Sequence, residues 1–177
     1  RNGMVMHWPN GFKSRGEVRS QWSHVNDIGP TVLEATGLPM PDTINGIPQL
    51  PMDGVSLLYA TDDADAAERH TTQYFEMFGN RAIYHEGWLA RVVHGIPWHP
   101  TPIRTLQEDI WELYDTTVDF SLTNDLAAEN PEKLAELQAI FDREALANNV
   151  YPLDDRRYER FDPAQAGRPD LMGGRTS

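Results

Sequence analysis

The stretch QYFEMFGNRAIYHEGW, residues 73–88, decides the fold. Aromatic and apolar residues alternate with polar ones, which is the period of a pleated strand with one covered face. Two short breaks, around Gly79-Asn80 and Glu86-Gly87, supply the positive backbone angles that tight hairpins need. The reading is three antiparallel strands: Gln73–Met77, Ala82–His85 and Trp88–His94. Tyr74 and Glu76 face one way, Phe75 and Met77 the other, and one of these faces must be covered. After the proline-rich crossing GIPWHPTPIRT, residues 95–105, DIWELYD at 109–115 reads as a fourth strand.

A cover for that sheet follows. Asn130 is placed to cap a helix, Pro131 to take its first position, and Glu132 to meet the positive end of its dipole. Leu134, Leu137, Phe141 and Ala145 fall on one stripe at helical spacing. Burying Leu134, Leu137 and Phe141 contributes on the order of 1.5–3 kcal/mol each before entropy is counted.

Upstream, GMVMHWP (3–9) reads as a strand, followed by a basic loop, GFKSRGEVRSQW. Asp27 is expected to cap a helix with its carboxylate. Val32, Leu33 and Ala35 give that helix an apolar face, and Gly37 ends it in a left-handed turn before Pro39. Residues 38–54 carry four prolines and two glycines and are expected to form an ordered loop without regular structure. VSLLYA (55–60) reads as a strand or a helical turn, and TDDADAAERH (61–70) as an acidic connection. The expected divisions are therefore 1–60, the 61–150 sheet-and-helix unit, and a charged extended tail over 151–177. In class the chain runs from α/β into α+β.

Composition excludes several functions. With 27 acids against 15 bases in 177 residues the formal net charge is −12, which repels phosphate backbones and anionic membranes. Neither nucleic acid nor membrane is an expected partner. Cysteine is absent, which removes disulfides, thiolate metal sites and a cysteine nucleophile, without choosing between cytoplasm and periplasm. There is no G-x-S-x-G around Ser56, no G-x-G-x-x-G and no phosphate-binding loop.

The six histidines, His7, His24, His70, His85, His94 and His99, make no metal-binding helical pair. Their default roles are surface or hydrogen-bonded ones. Asp154-Asp155 could pair on a hard metal, but Arg156, Arg157 and Arg160 nearby favour ion pairing. Trp88, Trp98 and Trp111 read as core or rim aromatics. Trp98, flanked by His94 and His99 in a loop, is the group best placed to line a cleft. These three residues are the candidate rim set. No catalytic or metal-binding residue is assigned.

Several stretches, taken together and in order, resemble the sulfatases, bacterial arylsulfatases above all. They are HVNDIGPTVLEATGLP (24–39), similar to H-x-x-D-I-x-P-T-x-L-E-x-x-G, then NGIPQLPMDGVSL (45–57) and QYFEMFGNRAIYHEGW (73–88). WELYDTTVDFSLTNDLAAENPEKLAEL (111–137) and NVYPLDDRRYERF (149–161) complete the set. The resemblance implies the last strand and helix of an alkaline-phosphatase-like core, followed by a four-stranded antiparallel sheet packed by one C-terminal helix. It implies a parent enzyme that hydrolyses aryl or alkyl sulfate esters. Such an enzyme uses a formylglycine made from C/S-x-P-x-R and a calcium ion that neutralises the sulfate oxygens. Neither motif nor an early Asp-Asp metal pair occurs here. The family's reactive groups would lie upstream, in a core domain that is this chain's expected partner. The chain itself is expected to be inactive and to hold no cofactor. Leu89 stands where relatives often carry lysine. Two other readings compete: a non-catalytic binding or assembly module, and a portion of a related phosphodiesterase or phosphonate hydrolase.

Overall fold

The computed structural model describes residues 2–96, 98–99 and 102–156. The chain divides into two compact units after Thr71, and each is described by itself.

In the first unit a 3-10 turn at Val25–Asp27 leads into α1, Ile28–Thr36. Gly37 closes this helix at φ 68°, the left-handed geometry expected of it, and the Leu38 N–H returns to the Leu33 carbonyl at 3.1 Å. The apolar stripe on α1 is only partly covered: Leu33 and Ala35 are half-buried. Val32 is exposed, and Thr31 is the residue that turns inward. The Thr31 hydroxyl donates to the Asp27 carbonyl and accepts the Leu57 N–H at 2.9 Å.

Residues 43–48 form a small hairpin where only a loop was expected. β1 (Thr43–Ile44) pairs with β2 (Ile47–Pro48) across Asn45 and Gly46, both at positive φ. Asn-Gly is the strongest two-residue hairpin signal, and it prevails over the surrounding prolines because Pro48 ends the ladder and donates nothing to it. Residues 3–9, expected as a strand, join no ladder; a strand needs a neighbour to take its backbone hydrogen bonds. VSLLYA resolves as a helical turn, α2, Leu58–Thr61. The basic loop is tied to its end: Arg19 donates to the Ala60 and Thr61 carbonyls, and Asp62 accepts the Lys13 and Ser14 amides. Residues 61–71 hydrogen-bond into this first unit, through Gln21 to the Ala64 and Ala66 carbonyls and through the Trp22 N–H to Glu68.

The second unit is the expected antiparallel sheet. Its strands are β3 (Thr72–Met77), β4 (Asn80–His85), β5 (Trp88–Val92) and β6 (Trp111–Asp115), in spatial order β3-β4-β5-β6. Both hairpins are two-residue loops. The first turns on Phe78-Gly79, not Gly79-Asn80, since Met77 pairs with Asn80. Glycine thereby takes the second turn position, as it does in Glu86-Gly87.

One rung across the sheet, Tyr74–Ile83–Ala90–Leu113, faces α3, Pro131–Ala147. Leu137, Ile140, Phe141 and Ala145 of the helix close over Ile83, Ala90 and Leu113, with Leu134 partly buried beside them. Trp111 meets the Phe141 ring edge-on at 5.6 Å. Asn130 does precede the helix, but its side-chain amide donates to the Leu126 carbonyl rather than accepting first-turn amides. The tail expected over 151–177 is described only to Arg156.

Candidate functional site

The strongest polar constellation in the first unit centres on Asp27, whose carboxylate is closed to solvent. Oδ2 accepts the His24 N–H at 2.7 Å, Oδ1 accepts the Val55 N–H at 2.7 Å, and Oδ1 also faces His70 Nδ1 at 2.7 Å. The side chain does not cap α1 as expected. It turns back to join three segments of chain, because a buried carboxylate needs several donors to offset its lost hydration. Trp22 packs edge-on against His70 at 4.9 Å. Gly54 is required at the crossing, since a Cβ there would lie 2.1 Å from the Asn26 carbonyl oxygen. The H-x-x-D of the sulfatase-like stretch is thus, in this chain, a structural clamp.

In the second unit His94, one of the rim candidates, is wholly buried. It follows β5 and turns inward, which is why that strand stops at Val92 and not at residue 94. Its Nδ1 faces both oxygens of Asp109, at 2.9 and 3.1 Å, and its Nε2 faces Asp155 Oδ2 at 3.3 Å. Asp109 also accepts from Arg81 Nη1 at 2.7 Å, and the Arg81 guanidinium lies over the Trp111 ring. The Asn80 side chain holds the His94 and Gly95 N–H groups at 3.0 and 3.1 Å. His94 therefore presents no surface to a ligand; it ties the crossing loop to the sheet.

The other two rim candidates lie apart from it in environment. Trp98 is 85% exposed, and His99 is exposed beside it on a turn closed by the His99 N–H to the Ile96 carbonyl. The loop is anchored beneath by Ile103 N–H to the His94 carbonyl at 2.8 Å. Residues 102–108 and Asp155 line an open depression of about 660 Å³.

Arg81, Asp109 and Asp155 were not singled out as partners of His94. The visible signal was weak: an apolar strand running into His94, and an acid just ahead of the fourth strand. Asp154 does form the expected ion pair, with Arg156 at 2.7 Å, while its neighbour Asp155 turns to His94. Arg157 and Arg160 lie outside the described residues.

A second charged group sits on the opposite sheet face. Arg91 Nε donates to Glu112 at 2.6 Å, and the Tyr114 hydroxyl donates to the same carboxylate at 2.8 Å. Burial works to lower the Arg91 pKa, but the Glu112 hydrogen bond and charge outweigh it and push the group up. Burial, then the Glu112 bond, pushes the Tyr114 phenol up. Each cation here has its acid, so the cluster is a self-neutralised brace.

Further along, Asp125 accepts the Leu113 and Ala127 N–H groups at 2.9 and 3.0 Å. The D-L-A of the E-L-Y-D…D-L-A stretch thereby joins β6 to the entry of α3. Among the described residues no three His, Cys, Asp or Glu side chains converge to hold a metal ion. The calcium that the sulfatase resemblance implies finds no ligand set among them.

No family model matches the sequence. Among solved structures, Ps i-CgsB is similar at a TM-score of 0.59, with 18% identity over 92% of this chain and 33% of that one. BT4656, solved in complex with its substrate D-glucosamine-2-N,6-O-disulfate, gives a TM-score of 0.49 at 17% identity over 74% of this chain and 25% of that one. A Bacteroides thetaiotaomicron protein, BT33336S-sulf, from a core genetic locus for the metabolism of multiple glycosaminoglycans, gives 0.46 at 19% identity, over 66% and 24%. The chain spans a third or less of the length of each. What the likeness to Ps i-CgsB shows is the fold alone, over a third of that chain.

Proposed function

We propose that this chain is the C-terminal portion of a sulfate-ester hydrolase of the arylsulfatase type. Its own task is to complete the fold and carry loops to the rim of an active site built elsewhere. The observation that supports this most is the match between ordered motifs and structural duties. Asp27 of HVNDIGPT is a buried clamp, and QYFEMFGNRAIYHEGW is the hairpin pair. Asp125 of WELYD…NDLA fastens the last strand to the last helix. These residues serve the architecture, which explains why a chain can keep them in order while carrying none of the reactive groups. The parent enzyme would supply formylglycine and calcium from its core domain. Trp98 and His99, exposed on the crossing loop, are the proposed rim groups of this portion.

Two assays test the reading. The 177-residue chain, offered an aryl sulfate with calcium, is expected to give no turnover. On this reading, any longer protein that contains the chain is expected to carry C/S-x-P-x-R ahead of it and to hydrolyse the sulfate ester. Metal-dependent turnover by the chain alone would refute the division of labour. A threonine or serine phosphohydrolase nucleophile in place of that motif would turn the assignment to phosphodiesters or phosphonates.

A further inference from the structure

Three asparagines of the chain precede a glycine: Asn2-Gly3, Asn10-Gly11 and Asn45-Gly46. In such a pair the glycine nitrogen can reach the neighbouring side-chain amide, because no Cβ on the second residue obstructs it. Every other asparagine precedes a residue that carries a side chain. The fold treats the second and third pairs unlike. Gly11 donates its N–H to the Trp8 carbonyl at 3.0 Å, and a Cβ on Gly11 would lie 2.1 Å from the Trp8 indole. Phe12 donates to the same carbonyl and meets the Trp8 ring edge-on at 5.6 Å. The Gly11 nitrogen is therefore engaged and covered.

Asn45-Gly46 is the tip of the β1–β2 hairpin. Asn45 is exposed, and nothing lies within 4 Å of a would-be Cβ on Gly46. Neither the Asn45 side chain nor the Gly46 N–H has a hydrogen-bond partner among the described residues. The hairpin rests on two residue pairs and on the Gln49 N–H to the Asp42 carbonyl at 2.9 Å. Ile44 and Ile47 are both exposed, so no core holds it shut. A two-stranded hairpin without an apolar cover opens readily.

We propose that Asn45 is a site of spontaneous covalent modification, converted through a succinimide to isoaspartate and aspartate, whereas Asn10 in the same dipeptide is protected by its turn. The Gly46 nitrogen gives its proton to solvent base and bonds to Asn45 Cγ. The Cγ–Nδ2 bond breaks, and Nδ2 takes a proton from water and leaves as ammonia. Water then adds to either ring carbonyl. Opening at the main-chain carbonyl gives isoaspartate, and opening at Cγ leaves aspartate in an ordinary main chain. Water is consumed, ammonia is released, and nothing is oxidised or reduced. Isoaspartate carries the main chain through Cβ and lengthens the turn by a carbon. The tight turn, with Asn45 at φ 50° and Gly46 at φ 79°, is then lost.

The test uses the whole chain, incubated at mildly alkaline pH and sampled over time. Peptide mapping with electron-transfer fragmentation locates isoaspartate at positions 2, 10 and 45. Asn2-Gly3, where nothing lies within 4 Å of a Cβ on Gly3, is the internal standard for an open pair. Conversion at position 45 is expected to keep pace with position 2. It is expected to outrun position 10 by at least about fivefold, the scale of a hydrogen bond that must break first. In concentrated urea, where both turns are gone, positions 10 and 45 are expected to convert alike. The proposal is overturned if Asn45 keeps its amide while Asn2 is converted, or if positions 10 and 45 convert alike in the folded chain. A difference that persists in urea would also overturn it, since local sequence and not the fold would then set the order.

Discussion

Asp27 and His70 meet at 2.7 Å in the interior of the first unit, 43 positions apart in the chain and with essentially no solvent on either side chain. The same carboxylate takes two backbone N–H groups, so its loss strands three donors at once. Asp27→Asn offers one acceptor oxygen where two worked and sets an amide donor against the remaining N–H. The expected cost is about 3 kcal/mol, the scale of breaking a buried pair from one side. Urea unfolding followed through Trp22, which packs on His70, measures it. A loss below about 0.5 kcal/mol would show the clamp to be dispensable.

Glycine at positive φ is needed for two separable reasons, and two positions separate them. Gly37 ends α1 at φ 68° with nothing near a would-be Cβ, so Gly37→Ala meets only backbone strain, about 1 kcal/mol. Gly79 sits at φ 83° with His94 Cδ2 only 2.6 Å from that position. Gly79→Ala must therefore displace a ring fixed by Asp109 and is expected to cost about 2–3 kcal/mol. Paired denaturation curves check the order: the Gly79 variant is the weaker of the two.

The helix over the sheet sets the stability of the second unit. Phe141 is fully buried between Trp111 and the Ile83–Ala90–Leu113 rung. Phe141→Ala removes a ring and leaves a cavity, at an expected 3–5 kcal/mol. Val32, on the equally apolar stripe of α1, is 53% exposed, and Val32→Ala is expected to move stability by less than about 0.5 kcal/mol. Thermal or urea unfolding of the two variants should differ accordingly.

That contrast marks what the residues disclose. The hairpins, the fourth strand and α3 were legible because alternation, X-Gly turns and a +3/+4 stripe are local signals that agree with the packing they produce. On the α1 stripe Leu33 and Ala35 are half-buried and Val32 is exposed, because periodicity shows that a helix has an apolar face, not how much of it is covered. Residues 3–9 misled in the opposite sense: alternation gives a strand its faces but not its neighbours. The polar knots were the least legible. Asp27–Val55–His70 and Arg81–His94–Asp109–Asp155 each draw on segments far apart in sequence. No spacing rule links those segments before the fold brings them together. Of the candidate rim set, Trp98 and His99 are exposed on the crossing loop, whereas the burial of His94 follows from acids that look unremarkable in the sequence.

Tyr151 gives a prediction at the alkaline end. Its phenol is pushed up to about 12, first by desolvation and then by donating a hydrogen bond to the Asp142 carboxylate on α3. In the unfolded chain the same phenol ionises near about 10. Between those two values the folded chain keeps a proton that the unfolded chain has lost, so the contribution to stability is intact below about pH 10 and disappears as pH rises toward about 12. Tyr151→Phe keeps the ring beside Phe141, at 6.3 Å between centroids, and removes the ionisation. Its stability is therefore expected to fall less steeply with pH in that window than that of the native chain. Asp142→Asn separates the two causes. With the carboxylate gone, phenolate absorbance should show Tyr151 titrating earlier than in the native chain, yet still above an exposed tyrosine, because the burial remains. Titration at the unperturbed value in the native chain would mean that the hydroxyl does not hold Asp142 and that the chain after α3 is not fastened at this point.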